Sequence, residues 1–242
     1  MSRLEARNVM QSLRSGLGVE LSEVSITEKL IATLGGGVAI LALIAISRWA
    51  VPGAGSVAII GSMGASAVLL FAVPHGQLSQ PWPVIAGHGV SAAIGVLCAQ
   101  CIALPMVATA VAVGLAIGVM YQFKCIHPPG GATAFAAVMG GSAIHDLGYR
   151  FIFFPVLANA VVMVLLAFLI NAAFKWRRYP AVLGPVRRVP ASAPTHAEVL
   201  AAVKSIDSFV DVNEADLIRL AALLSRHSHP VSRNHPVKSK NQ

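Results

Sequence analysis

The chain has 242 residues, 56% of them hydrophobic and only 12% charged, with a mean hydropathy of +0.72. Soluble domains carry roughly 25% charged residues, yet from Val51 to Asn171 the only Asp, Glu, Lys or Arg residues are Lys124, Asp146 and Arg150. This excludes an ordinary soluble domain and indicates a multispanning membrane domain, because about 20 apolar residues cross a bilayer.

The net charge of +8 sits at the ends, in Arg3, Arg7, Arg14 and Lys29 before the first apolar run and in Lys175, Arg177, Arg178, Arg187 and Arg188 after the last. Positive flanks stay inside, so both termini are expected to be cytoplasmic and the number of crossings even. The basic tails read as topology signals and lipid-headgroup contacts, not as a nucleic-acid surface. The first thirty residues are polar and show no signal-peptide pattern, so the first apolar segment is expected to act as a retained signal anchor.

In chain order, residues 1–29 are expected to form an amphipathic lead-in at the cytoplasmic surface. A span follows from about Leu30 to Ala50, with Gly35-Gly36-Gly37 allowing close helix approach. "GSVAIIGSMGASAVLLFAVP", residues 55–74, is apolar but carries Ser62, Gly64 and Ser66. "HGQLSQPWP" reads as a polar turn, with Trp82 as an interfacial anchor. Two further strong spans run from about Val84 to Leu104 and, after a tight turn at Pro105, to about Phe123. "CIHPPGGATAF", residues 125–135, opens a second short, Gly-rich segment that ends near Ile144. "HDLGYR" reads as a polar loop, and a last strong span covers about Phe151 to Phe174.

The expected fold is therefore all-α. It has four strong transmembrane helices and two short Gly-rich segments, broken or re-entrant, that either cross the membrane or turn back. Three matches recur in the same order: "GVAI" 37–40 with "GLAI" 114–117, "GASA" 64–67 with "GATA" 131–134, and "PVIAG" 83–87 with "PVLAN" 155–159. They divide the membrane domain, residues 30–175, into two repeated halves of about 30–104 and 105–175. Paired, interrupted segments at matching places in two halves are a pointer to a transporter's binding site. Beyond the membrane domain, 176–194 reads as a basic, proline-rich linker. Residues 195–228 read as two short amphipathic helices opened by Thr195/Glu198 and Asp211/Glu214 caps, and 229–242 as disordered.

The second short segment carries the chemistry. Backbone at membrane depth must have its hydrogen bonds satisfied. Pro128 and Pro129 have no N–H and suit a helix start. Gly130 and Gly131 let the backbone come close to a neighbour or ligand. A helix beginning there would expose its positive end, a ready anion site, with the Thr133 hydroxyl beside it. Gly64 and Ser66 would supply a second helix start in the first half, with Ser62 nearby. Facing each other, the two starts would make a small pocket for a singly charged, oxygen-bearing anion. Apart from Asp146, expected in a loop, the membrane domain has no acid, which disfavours a cation carrier.

His127 and His88 are the titratable candidates. For His88 two readings stand side by side, a role in the site and a plain interhelical hydrogen bond, for instance to Asn159. Lys124 is read as snorkelling to the interface, with attraction of anions at a pore mouth as the alternative. His75 and His145 are assigned to loops. Cys98 and Cys101 form C-x-x-C inside an apolar span and read as small packing residues. No cofactor, metal or catalytic set is indicated.

Three blocks, "MGASAVLLFAVP" at 63–74, "LSQPWPVIAGHGVSA" at 78–92 and "HPPGGATAF" at 127–135, resemble the HPP family of integral membrane proteins. The family is named for the triplet seen here as His127-Pro128-Pro129. The resemblance covers roughly residues 25–175 and stops before the tail. It implies a compact, bacterial-type multispanning protein of the inner membrane. Family members in cyanobacteria and chloroplasts are associated with nitrite transport, so the resemblance also implies nitrite as the first substrate to consider. The residue pattern alone does not choose among nitrite, nitrate, formate, bicarbonate and chloride. The competing readings are a sensor or scaffold acting through the C-terminal helices and a membrane enzyme using His88 and His127. Expected partners are a small inorganic anion and the bilayer, and the Gly-rich helix faces permit a homodimer.

Overall fold

The computed structural model describes residues 24–50 and 54–183, with isolated positions at 198, 217, 218, 220 and 221. Apart from those positions, the lead-in before residue 24, the linker from residue 184 on and the expected tail helices lie outside the described residues. Among the described residues the chain is all-helical, with no strand.

Helix α1 (Ile26–Ala50) starts where the Ser25 hydroxyl accepts the Glu28 N–H at 3.2 Å, one half of a capping box. Helices α2 (Ala54–Ala72), α3 (Pro81–Cys101), α4 (Pro105–Gln122) and α5 (Pro128–Met139) follow. Proline opens α3, α4 and α5, where its missing N–H falls on a position with no partner inside the helix. Helix α6 is a single turn, Ser142–His145. The last span begins as a π-helical stretch, Ile152–Leu157, and continues as α7 (Ala158–Ala172). Pro155 cannot donate to the ladder, and Phe154 before it leaves the helical region (φ −142°, ψ 117°), so the span widens there. Among the described residues four stretches are long and apolar enough to cross a membrane: Ile26–Arg48, Pro81–Cys101, Pro105–Gln122 and Ile152–Ala172. They match the four strong spans expected from hydropathy to within a few residues.

The two short segments differ from each other. The first is not broken: Gly64 and Ser66 lie in the interior of the 19-residue α2, where the backbone N–H groups belong to the helix's own ladder. The second does start at the motif, with His127 in extended conformation (φ −141°, ψ 100°) as the residue before α5. The expectation of paired helix starts is therefore corrected to one. The reason is chemical. Glycine and serine weaken a helix by about 1 kcal/mol at most, and in lipid no water competes for the backbone. Two consecutive prolines cannot continue one.

Contacts give the chain directions. Ser66 of α2 meets His88 of α3, and Leu69 O accepts from the Ser79 hydroxyl at 3.0 Å, so α2 and α3 run antiparallel. The Trp82 indole donates to Phe123 O at 3.1 Å, placing the end of α4 beside the start of α3. Helix α5 then runs alongside α3 in the same direction, His127 against Gly87 and Ala134 and Ala137 against Gly95. The link after α5 reaches Gln100, at the far end of α3. The chain thus passes from one end of α3 to the other through the 12-residue α5 and the link that follows it.

Small residues hold this packing. Ala108, Ala112 and Ala116 recur every fourth position on α4 and are fully buried with Ala134 and Val138 of α5. Lipid tails are as apolar as leucine, so such faces gain from close van der Waals approach rather than from escape from water.

At the end of the bundle where α1 starts, Arg177 ties three helices together. Its guanidinium donates to Glu28 of α1, to Asn171 Oδ1 of α7 at 2.9 Å and to Phe71 O of α2 at 2.6 Å. The Trp176 indole also donates to Glu28, at 3.0 Å. Arg177 was read from sequence as one more topology charge, but only 1% of its side chain is exposed.

Candidate functional site

The site forms where α2, α3 and the start of α5 meet. Three small residues at four-residue spacing, Gly87, Ser91 and Gly95, line the α5-facing side of α3. A Cβ on Gly87 would stand 2.8 Å from His127 Cβ, and one on Gly95 would stand 2.6 Å from Ala137 Cβ. From the other side, a Cβ on Gly130 would stand 2.8 Å from Ser91 Oγ and 3.0 Å from Gly87 O. This seam brings the residue after Gly87, His88, next to His127.

Four side chains then join. Ser66 Oγ lies 2.8 Å from His88 Nε2 and 2.8 Å from His127 Nε2. His88 Nδ1 lies 2.7 Å from Thr133 Oγ1. His127 Nδ1–H donates to Leu78 O at 2.8 Å. The two rings stand edge to face with centroids 4.9 Å apart. Ser66, His88 and His127 are completely buried and Thr133 is 1% exposed, so this is a polar island inside an apolar bundle. Longer bonds are also within reach, from Ser66 Oγ to Ser62 O at 3.4 Å and from Thr133 Oγ1 to Pro129 O at 3.3 Å.

Of the expected site residues, His127, Thr133, Ser66 and His88 come together, and buried Ser62 contributes its carbonyl at the edge. The other three are placed differently. Gly130 is packed into the α3 seam, and its N–H is spent on His127 O at 2.8 Å. Gly131 faces Val113 at 3.9 Å, and Gly64 has no neighbour within 4 Å of a Cβ position. A cradle of free backbone N–H groups is thus not what the motif builds. Pro128 and Pro129 have none, and the next one is used.

His88 does not pair with Asn159, whose Nδ2 donates to Ser47 Oγ at 2.8 Å instead. His145 ends the α6 turn rather than lying in a loop, and its Nε2–H donates to Val138 O at 2.8 Å. Lys124 is exposed and takes the left-handed turn (φ 52°) that ends α4. Cys98 and Cys101 are unpaired thiols, the first buried and the second exposed. Among the described residues no group of three His, Cys, Asp or Glu could hold a metal ion.

The sequence reading missed Leu78, whose carbonyl fixes one imidazole, and the α3 seam. The carbonyl leaves no trace in sequence. The seam does, as small residues four apart in "GHGVSAAIG". Beyond the site, a cavity of about 140 Å³ lies between the far halves of α3 and α5. Its walls include Val96, two turns beyond His88, and Ala137, one turn beyond Thr133, together with Gln100 and His145.

Fold and site together define an all-helical membrane protein with a buried cluster of two histidines and two hydroxyls and, among the described residues, no carboxylate beside it. The transmembrane-region profile of the HPP family matches residues 21–180, more than half of the chain, and the protein belongs to that family. Two curated transmembrane proteins of Dictyostelium discoideum are each 41% identical to it over 126 residues, half of this chain and 44% and 40% of theirs. The chain thus spans less than half the length of these relatives. No solved structure matches it.

Proposed function

We propose that this protein is a transporter or channel for a small monovalent anion, nitrite first, in a bacterial-type inner membrane. The observation that carries the reading is the Ser66–His88–His127–Thr133 cluster. It is a buried polar cluster of the membrane domain, its side chains are only hydroxyls and imidazoles, and among the described residues no carboxylate competes with an anion for them. Polar groups this deep in an apolar bundle are costly and mark substrate or ion paths. With α2 and α5 counted as crossings beside the four apolar spans, the chain crosses six times, in keeping with both termini on one side, the cytoplasmic one by the positive flanks. Ser66 and Thr133, matched by the internal repeat, bracket one imidazole, as expected if two duplicated halves meet at the binding site. Nitrite is chosen over other small anions on family resemblance.

The test is nitrite uptake into proteoliposomes. Wild type is compared with Thr133→Val, Ser66→Val and His127→Ala, all checked for folding. Uptake above empty vesicles that falls in all three variants is expected. Uptake no greater than in empty vesicles across a panel of small anions would sink the proposal.

A further inference from the structure

The hydrogen bonds of the cluster have a direction, and one atom sets it. A carbonyl oxygen only accepts, so His127 must carry its proton on Nδ1 to donate to Leu78 O at 2.8 Å. With neutral rings, His127 Nε2 is then bare and takes the Ser66 hydroxyl proton. Ser66 has no second proton, so His88 must donate Nε2–H to Ser66 Oγ. His88 Nδ1 is then bare and takes the Thr133 hydroxyl proton at 2.7 Å. Every bond is satisfied in one way only, and the two rings are opposite tautomers.

We propose that this chain is a relay that takes up one proton, at its Thr133 end, together with the transported anion. The inference rests on the anion-transport reading and specifies its coupling. The proton adds to His88 Nδ1, which then donates to Thr133 Oγ1. The Thr133 O–H turns away and donates its hydrogen bond to Pro129 O, 3.3 Å off, or to an anion that displaces that carbonyl, and keeps its proton. Through Ser66 the charge can pass to the other ring: His88 gives Nε2–H to Ser66 while Ser66 gives its proton to His127 Nε2. No bond is left unmet in either charged form, and the +1 of the relay offsets the −1 of the anion. The Leu78 end is closed, because a carbonyl cannot carry a proton onward. Two protons are too many, because they would put two imidazolium rings 4.9 Å apart in a dry interior.

Few other titratable groups lie on the elements around the cluster. Helix α2 carries no titratable residue, α3 adds only Cys98 and Cys101, and α4 only exposed Tyr121. The approach to α5 adds exposed Lys124 and buried Cys125, and the α2–α3 connection adds His75. Tyr179 reaches that connection at Ser79 O, beside Leu78.

Two measurements on the full chain test the relay. Nitrogen NMR of histidine-labelled protein in lipid nanodiscs, assigned with His88→Gln and His127→Gln, should show His127 as the Nδ1–H and His88 as the Nε2–H tautomer. As pH falls, the pair should take one proton. Two rings of the same tautomer, no proton taken, or two protons taken would each overturn the relay whatever the transport result.

The second measurement is initial nitrite uptake into proteoliposomes, with the leak of its conjugate acid subtracted using protein-free vesicles. Uptake should be driven by an inward proton gradient and indifferent to an imposed membrane potential, and Ser66→Ala should lose the response to the gradient. Uptake driven by potential and blind to the proton gradient overturns the relay and leaves anion transport standing. No protein-dependent uptake removes the anion reading, and the tautomers then decide the relay alone.

Discussion

Helices α2 and α5 carry nearly the same four residues, Gly-Ala-Ser-Ala at 64–67 and Gly-Ala-Thr-Ala at 131–134, in different local structures. In α2 the motif sits in mid-helix with open space beside Gly64; in α5 it lies within a turn of a proline-led start, pressed against α3. Yet Ser66 and Thr133 arrive at the same imidazole, one on each ring nitrogen. What the two segments share is the placement of a hydroxyl on a buried face, not a broken helix. The backbone around that hydroxyl is free to differ as long as the face is kept.

The largest break in this comparison is expected at the glycines. Gly95→Leu puts a branched side chain where even a Cβ would meet Ala134 O at 2.8 Å, so α5 must leave α3 and folded protein should be lost. Gly64→Ala meets nothing within 4 Å and should stabilise α2 by about 0.5–1 kcal/mol through helix propensity. Melting of both variants in detergent checks the pair. Equal loss would mean that α2 is as tightly seated as α5.

The hydroxyls come next. Ser66→Ala orphans a nitrogen on each ring and Thr133→Val orphans one, at about 1–3 kcal/mol for each buried group. The Ser66 variant should therefore lose roughly twice as much in denaturant melts, and Thr133→Ser should recover most of its loss. A larger loss at Thr133 would make α5, not α2, the keystone of the cluster.

The smallest effect concerns the turn that follows α2. Burial pushes the Tyr179 phenol well above its ordinary range, and its hydroxyl donates to Ser79 O at 2.9 Å. The folded protein keeps this proton where the unfolded chain releases it. Stability from this group is therefore constant below the unfolded tyrosine pKa of about 10 and falls as pH rises past it. Melts between pH 8 and 11 should show the decline in wild type and a shallower one in Tyr179→Phe.

The same contrast governs how much was legible beforehand. The four strong spans are visible because hydropathy and helix length are local properties, and proline at positions 81, 105 and 128 marks three starts for a local steric reason. The segment at 55–74 was misread as broken because glycine and serine were given the weight that only proline has in a membrane helix. Ser66, His88, His127 and Thr133 could be picked out as candidates from their chemistry and the matching segments. Their mutual bonds could not, because they span separations of 22 to 61 residues. Arg177 looked like a topology charge because nothing local announces that Glu28, 149 residues earlier, will close over it.

The sequence by itself therefore determined a charge-poor, helical membrane domain, its principal spans and the few polar residue types within it. These follow from composition and short-range sterics. Only the tertiary structure decided that α2 is continuous, that Gly87, Ser91 and Gly95 let α5 approach α3, and that Leu78 O sets the direction of the histidine–hydroxyl chain. Each of these depends on atoms far apart in sequence and on a carbonyl common to every residue, and so has no signature until the helices are packed.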